Sequence, residues 1–444
     1  MHRIIELIPL SNIIRLTALF SVAVILNGCI AMKGVHKEYQ LAPVQLEEYT
    51  QRNEFPIAQG DDVIGQARYI RLKKGDTLPD IARHFSLGLN VLSATNPGVD
   101  MWVPEAGRRI MLPLSFILPD APRKGIVINL AAMRLFHYKG EGETMTVLTY
   151  PVGVGTEERP TPTGQMHVGR KVSRPTWYVP VSIANDRRKK GDILPAKVPP
   201  GPQNPLGEYA LYLSMPTYLI HGTNKPASIG LRATNGCIRL YPEDVKTLFE
   251  GTEIKTPVHI VNQPYLVGRS NGAVYLEVHA PLENLDSDEF VKTYIKLKNI
   301  EKEAGRPLDW DKVKKVLIEA RGIPVPIFEI TQGSAKEIES LEVKHPGQLY
   351  GRPEIPELKA DEWSVLAADV RDEIDAVRLS AIINHQGPPI PARVVPRNDT
   401  YQVIAGPFND SEAANDAIKR LKIDLEIDGV LVGPITREKG GEKL

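Results

Sequence analysis

Thr234-Asn235-Gly236-Cys237-Ile238-Arg239-Leu240, preceded by Leu219-Ile220-His221-Gly222-Thr223-Asn224, decides the reading of this chain. The earlier run is a short apolar strand ending on a histidine, and Gly222 leaves that ring free at the strand terminus. The later run carries one of only two cysteines in the sequence, and Cys29 has a separate explanation near the N-terminus, so Cys237 is a single thiol with a base at hand. With an unperturbed pKa of about 8.5 only a few per cent of a thiol is ionised at neutral pH, which a neighbouring imidazole corrects. Gly236 lets backbone N–H groups approach a reacting carbonyl, so the amides of Gly236 and Cys237 are candidates for an oxyanion hole. Arg239 falls on the same side of an extended segment as Cys237, where it can meet a substrate carboxylate. Taken singly, Cys237 reads as a buried inert thiol and His221 as a structural histidine.

Around these runs, residues 124–262 are a succession of short β-branched segments, at 125–130, 134–137, 146–152, 210–213 and 258–261, punctuated by glycine and proline. That spacing predicts a mostly β domain, with one amphipathic helix at 242–249. The pair of runs, together with Tyr150-Pro151-Val152-Gly153-Val154-Gly155, Thr161-Pro162-Thr163-Gly164 and Ile229-Gly230-Leu231-Arg232, resembles the YkuD-type L,D-transpeptidase family, in its enterobacterial-type subgroup. The resemblance implies Cys237 as nucleophile, His221 as base and acid, and Gly222, Thr234, Asn235 and Gly236 shaping the site. The family commonly has histidine where this chain has Asn235. What it implies is acyl transfer on peptidoglycan. Cys237 takes the acyl group of a tetrapeptide stem with loss of D-Ala, and an amine accepts it: another stem gives a 3-3 cross-link, a lipoprotein gives a wall anchor. Water as acceptor gives L,D-carboxypeptidation, and a silent peptidoglycan-binding scaffold is the other alternative. No cofactor or metal is implied, and neither a phosphate loop nor a zinc-ligand spacing appears.

Before this domain, residues 68–113 read as β-α-α-β: a strand at 69–72, a turn at Gly75-Asp76-Thr77, helical spacing of Leu78, Ile81, Ala82 and Phe85, a second helix broken at Asn96-Pro97, and a strand at 109–112. The unit resembles a LysM module, which implies binding to N-acetylglucosamine-containing glycan. After it, residues 263–344 predict a hairpin turned at Ser270-Asn271-Gly272 and helices at 287–304 and 309–320, with 345–360 as a Pro/Gly-rich linker. Residues 361–435 hold an internal repeat: Trp363-Ser364-Val365-Leu366-Ala367-Ala368 and Tyr401-Gln402-Val403-Ile404-Ala405-Gly406 each precede a helical stretch and an apolar strand. Two such halves make a ferredoxin-like βαββαβ layer. The second half resembles a SPOR domain, a family that binds peptidoglycan strands. The fold class expected is multidomain α+β.

Arg3 and Arg15 precede an apolar run, residues 16–26, too short to span a bilayer, so residues 1–28 read as a signal peptide. Leu26-Asn27-Gly28-Cys29 resembles a bacterial lipobox, which implies lipid attachment at Cys29, a polar tether over 29–67, and a periplasmic protein held at the outer membrane. The length of 444 residues fits about three domains. Basic and acidic residues balance at 54 each, which argues against nucleic acid as a partner.

Overall fold

The ten-residue strand Gly164–Ser173 joins the two halves of one sheet. Its first half pairs antiparallel with Pro257–Val261, Met166 opposite Val258, and its second half with Tyr209–Leu213, Val172 opposite Ala210. Nine strands result, in the order Ile238–Arg239, Leu219–His221, Tyr209–Leu213, Gly164–Ser173, Pro257–Val261, Gly125–Asn129, Arg134–Lys139, Thr146–Pro151 and Glu54–Pro56. This computed structural model describes residues 46–47, 53–58, 60–282, 287–329 and 341–434, all within one unit, Val44–Leu444. The other unit, Met1–Pro43, lies outside the described residues, and with it the readings of a signal peptide and of Cys29. Among the described residues no helix is long and apolar enough to cross a membrane.

The sheet holds because alternate residues of its strands are buried together: Ile126, Ile128, Val168, Leu211, Ile220, Ile238, Val258 and Ile260 share one core. Each such side chain contributes about 1.5–3 kcal/mol on burial. Helix Pro242–Glu250 starts with proline in its first turn and with Glu243 and Asp244 complementing its N-terminal dipole. It buries Val245 and Leu248 in the same core, which anchors the chain just beyond Cys237. The strands expected at 125–130, 134–137, 146–152, 210–213 and 258–261 all form. Two of the longer elements of this domain were not legible. The strand Gly164–Ser173 alternates only over Met166 and Val168 before turning polar, and helix Val181–Lys189 buries no residue, so it leaves no apolar period to read.

Strands Arg68–Arg71 and Arg109–Leu112 pair antiparallel around helices Leu78–His84 and Leu89–Thr95, the expected β-α-α-β order. The unit is stitched to the β domain rather than strung before it. Arg83 makes a bidentate pair with Glu243, both bonds 3.1 Å, Ser86 Oγ donates to Asp244 at 3.0 Å, and Tyr241 Oη donates to the Leu87 carbonyl at 3.2 Å. Gly230 (φ +82°) makes this contact possible, since a Cβ there would lie 2.4 Å from Leu89 N and 2.7 Å from Gly88 Cα.

Two expected connectors are corrected. The tether reading of 29–67 fails from residue 53 onward: Glu54–Pro56 pairs with Thr146–Pro151 and Val63–Gly65 with Ser115–Ile117, because Phe55, Ile57 and Ile64 pack with Phe116, Leu118 and Phe136. The linker reading of 345–360 fails likewise. Glu342–Val343 runs parallel between Arg68–Arg71 and Leu46–Glu47, Val343 and Leu349 are buried, and His345 Nε2 meets Asp76 at 2.8 Å.

The hairpin Tyr265–Ser270/Ala273–Val278 turns on Asn271 (φ 49°) and Gly272 (φ 73°), as expected, and gains a third strand, Val325–Glu329. Asp309 caps Trp310–Glu319 by accepting from Lys312 N at 2.9 Å. In the C-terminal domain the strands run Ala392–Arg397, Thr400–Phe408, Trp363–Val370, Val430–Val432, with helices Glu373–Asn384 and Ser411–Leu425 capped by Asp372 and Asp410. This is the βαββαβ layer read from the repeat. It docks through charge. His385 Nε2 meets Asp80 at 3.1 Å, and Asp424 takes Arg187 at 2.9 Å and Lys225 at 3.5 Å. Lys419 reaches Asp192 at 3.1 Å. Asp424→Lys is therefore expected to leave the domain folded but undocked, costing roughly 1–3 kcal/mol of docking. Faster hydrogen exchange in helix Val181–Lys189, with exchange in strand Thr400–Phe408 unchanged, checks it.

Candidate active site

His221 and the Cys237 segment come to one end of the sheet because their strands pair. Leu219–His221 runs parallel to Ile238–Arg239, with Ile220 opposite Ile238 and His221 opposite Arg239. The apolar side chains Ile220 and Ile238 bury inward, which presents the histidine and the arginine together and leaves Cys237 at the entry of the second strand. The strand end is tied at both sides: Leu240 N donates to the His221 carbonyl at 2.9 Å, and Gly153 and Arg239 exchange backbone bonds at 2.8 and 2.9 Å.

The His221 ring is buried, with Nδ1 2.6 Å from the Gly222 carbonyl. A carbonyl only accepts, so Nδ1 carries the proton and Nε2 keeps its lone pair, a tautomer assigned from the bonding. Burial, reinforced by the Arg239 charge and opposed by the Gly222 and Leu206 carbonyls, pushes the imidazole down to about 3. Cys237 is partly buried, and its sulfur points to the Thr217 carbonyl at 3.6 Å. Burial raises the thiol above its ordinary value, against the pull of the Leu219 N–H and of Arg239, both of which favour thiolate. At neutral pH the Cys237 thiol and the His221 imidazole are therefore both uncharged.

The loop before the sulfur is held by Thr234, whose hydroxyl donates to the Cys237 carbonyl at 2.7 Å and accepts from Gly236 N at 3.2 Å. Of the two amides expected to form an oxyanion hole, one is engaged in this state. The Gly236 N–H is engaged by Thr234, which leaves the Cys237 amide, for which no acceptor is present among the described residues. Gly236 itself is needed for its backbone (φ +101°) and for the close approach of Tyr218. Arg239, expected to meet a substrate carboxylate, donates Nη1 to Ser228 Oγ at 2.9 Å, and its Nε is buried with no partner among the described residues. Desolvation lowers its guanidinium to about 10, against the pull of Cys237. Asn235 is exposed and its Oδ1 accepts from Arg159. Tyr218, Ser228 and the Leu219 N–H went unread in the sequence: a backbone donor has no signature, and Ser228 sits in a loop without a motif. Among the described residues no three or more His, Cys, Asp or Glu side chains gather as a metal-ligand set.

These protonation states have a consequence in acid. Since the imidazole stays neutral far below its ordinary 6.5, kcat/KM is expected to hold level from about pH 8 to about pH 5, and no thiolate absorbance is expected at neutral pH. Burial, then Lys139, lowers His137 to about 4 as well. The unfolded chain binds protons from about 6.5 downward that the folded chain refuses, so stability is expected to fall between pH 6.5 and 4. Thermal melts across that interval check the sign.

Two comparisons with known proteins bear on the family. An L,D-transpeptidase catalytic domain family model, YkuD, matches residues 123–260, and a SPOR domain model matches residues 359–433. The chain is 37% identical over 285 residues to a Salmonella typhimurium protein named "Probable L,D-transpeptidase ErfK/SrfK", covering 61% of this chain and 89% of that one. It is 38% identical to the Escherichia coli "Probable L,D-transpeptidase YbiS" over 61% of this chain and 90% of that one. With the Escherichia coli "Probable L,D-transpeptidase YcfS" the identity is 40%, over 56% and 79%. The matched catalytic region contains the sheet, the histidine strand and the cysteine loop together, and the chain belongs to the YkuD family of L,D-transpeptidases.

Proposed function

We propose that this enzyme is a peptidoglycan L,D-transpeptidase in which Cys237 is the nucleophile and His221 the base. The observation that carries the reading is the parallel pairing of Leu219–His221 with the Cys237 segment, a thiol and a free imidazole lone pair brought to one strand end. The thiol attacks the carbonyl that links the third residue of a tetrapeptide stem to its terminal D-Ala, and His221 Nε2 takes the thiol proton. The Cys237 N–H faces the developing oxyanion. The tetrahedral adduct expels D-Ala as the amine, which receives the proton back from His221, and a thioester remains. An acceptor amine then attacks the thioester, giving its proton to His221 and reforming the thiol. A second stem as acceptor gives a 3-3 cross-link, a lipoprotein gives attachment to the wall, and water gives a tripeptide. Arg239 supports the step by favouring negative charge on sulfur.

The β-α-α-β unit, as a LysM-like glycan binder, and the SPOR domain place the enzyme on its polymer and raise the local substrate concentration. With Cys29 as a lipidation site the protein resides in the periplasm, anchored at the outer membrane. The test is incubation of the purified protein with disaccharide tetrapeptides, read by mass spectrometry. New dimers with loss of D-Ala support transfer, and tripeptides alone mean carboxypeptidation. Unchanged substrate together with a thiol inert to iodoacetamide would leave only a peptidoglycan-binding scaffold.

A further inference from the structure

Arg159 belongs to no motif, yet its guanidinium bonds a residue of the cysteine loop. Its loop follows strand Val154–Gly155, is closed on itself by Gly155 N donating to Thr161 Oγ1 at 2.9 Å, and is joined to the cysteine loop by Thr156 N donating to the Thr234 carbonyl at 3.0 Å. One arm of the guanidinium donates to Asn235 Oδ1, two positions before Cys237, and the other donates to Asp186 Oδ2. Both charged groups remain open to solvent, the Arg159 side chain 35% and the Asp186 side chain 46% exposed. Asp186 lies on helix Val181–Lys189, which buries no residue and so has no apolar seat on the domain. Its other oxygen meets Lys189 Nζ at 3.6 Å. Arg159 is thus held on one side by a fixed amide and on the other by a solvent-exposed carboxylate that another carboxylate can replace.

We propose that Arg159 recognises the terminal carboxylate of the donor's leaving residue, and that Asp186 fills this place until the donor displaces it. The inference rests on the acyl-transfer reading above. When the scissile carbonyl sits at Cys237, the free carboxylate of a C-terminal residue lies only about 4 Å beyond it along the chain. A guanidinium matches a carboxylate in two parallel bonds and discriminates strongly against a neutral amide. A bond further inside a peptide carries no such charge. Asp186 is then retained on Arg159, so the site selects the last bond of the stem.

The test uses full-length protein carrying Cys237→Ala, so that bound donor is not consumed, and measures its affinity for a tetrapeptide stem and for the same stem amidated at its C-terminus. The acid is expected to bind about 10- to 100-fold more tightly than the amide. Arg159→Gln removes that preference, Arg159→Lys restores part of it, and Asp186→Asn tightens the acid while leaving the amide unchanged. An acid-to-amide ratio unaltered by Arg159→Gln overturns the proposal. Turnover of the acid stem is measured in parallel on protein with Cys237 intact. If the binding preference follows Arg159 but D-Ala is never released, this recognition stands and the transpeptidase reading falls. If D-Ala is released with no dependence on Arg159, the reverse holds.

Discussion

Cys237→Ala is expected to lower D-Ala release by more than about 10³-fold, because the acyl intermediate forms on its sulfur. Thr234, which shapes the loop, bonds the Cys237 carbonyl and the Gly236 amide rather than the sulfur, so the loop keeps its form. Deleting one partly exposed sulfur should therefore change the melting midpoint little, about 1 kcal/mol or less. His221→Gln should cost a comparable factor, since the thiol sits above its ordinary value and attacks only as its proton is taken. The double variant should be no slower than Cys237→Ala alone, as is expected of groups acting in one step. Rates of D-Ala release from a tetrapeptide, read with the melts, decide this. A double variant that falls by the product of the two single losses would mean that the two side chains act independently.

Gly236→Ala should be the most damaging change that leaves every polar side chain of the site in place. Its Cβ would lie 2.8 Å from Tyr218 Cε1 and 3.3 Å from the Pro160 carbonyl, at a backbone φ of +101° that side chains rarely adopt. Relief requires Tyr218 to swing away or the loop from Thr234 to Cys237 to rotate, and rotation turns the Cys237 N–H from its aim. A misdirected oxyanion donor costs about 10²- to 10³-fold in kcat. The same strain costs roughly 1–3 kcal/mol of stability. Alkylation of the Cys237 thiol should continue in this variant, which separates lost aim from a lost nucleophile. Activity within a few-fold of the unmodified protein would show that the loop tolerates the side chain and that the Cys237 amide is not the donor.

The family was readable where it is written in side chains of distinctive type at fixed spacing: His221-Gly222 and Gly236-Cys237 lie at the short paired strands Leu219–His221 and Ile238–Arg239. The C-terminal layer was readable because Trp363–Val370 and Thr400–Phe408 repeat one pattern. What escaped was structure without apolar period or structure made at a distance. Helix Val181–Lys189 has no buried face, and Glu54–Pro56 is too short to be told from loop until Thr146–Pro151 lies beside it. The protonation states escaped for another reason. They depend on how deeply Arg239, His221 and Cys237 are buried together, and the positions of charges along the chain give no measure of that depth.

The parallel strand Glu342–Val343 sets an order of events during folding. Lys73 reaches the Pro346 carbonyl across 273 positions, and Tyr69 pairs with Glu342 in the same small sheet. The amino-terminal β-α-α-β unit consequently cannot complete its sheet when its own residues emerge. It waits until the β domain and the helical extension have been made. Contacts this remote carry a large loop-closure entropy unless the intervening chain folds first and brings the ends together. Loop-closure entropy therefore favours an order in which the middle of the chain folds before the small sheet Arg68–Arg71/Glu342–Val343 closes.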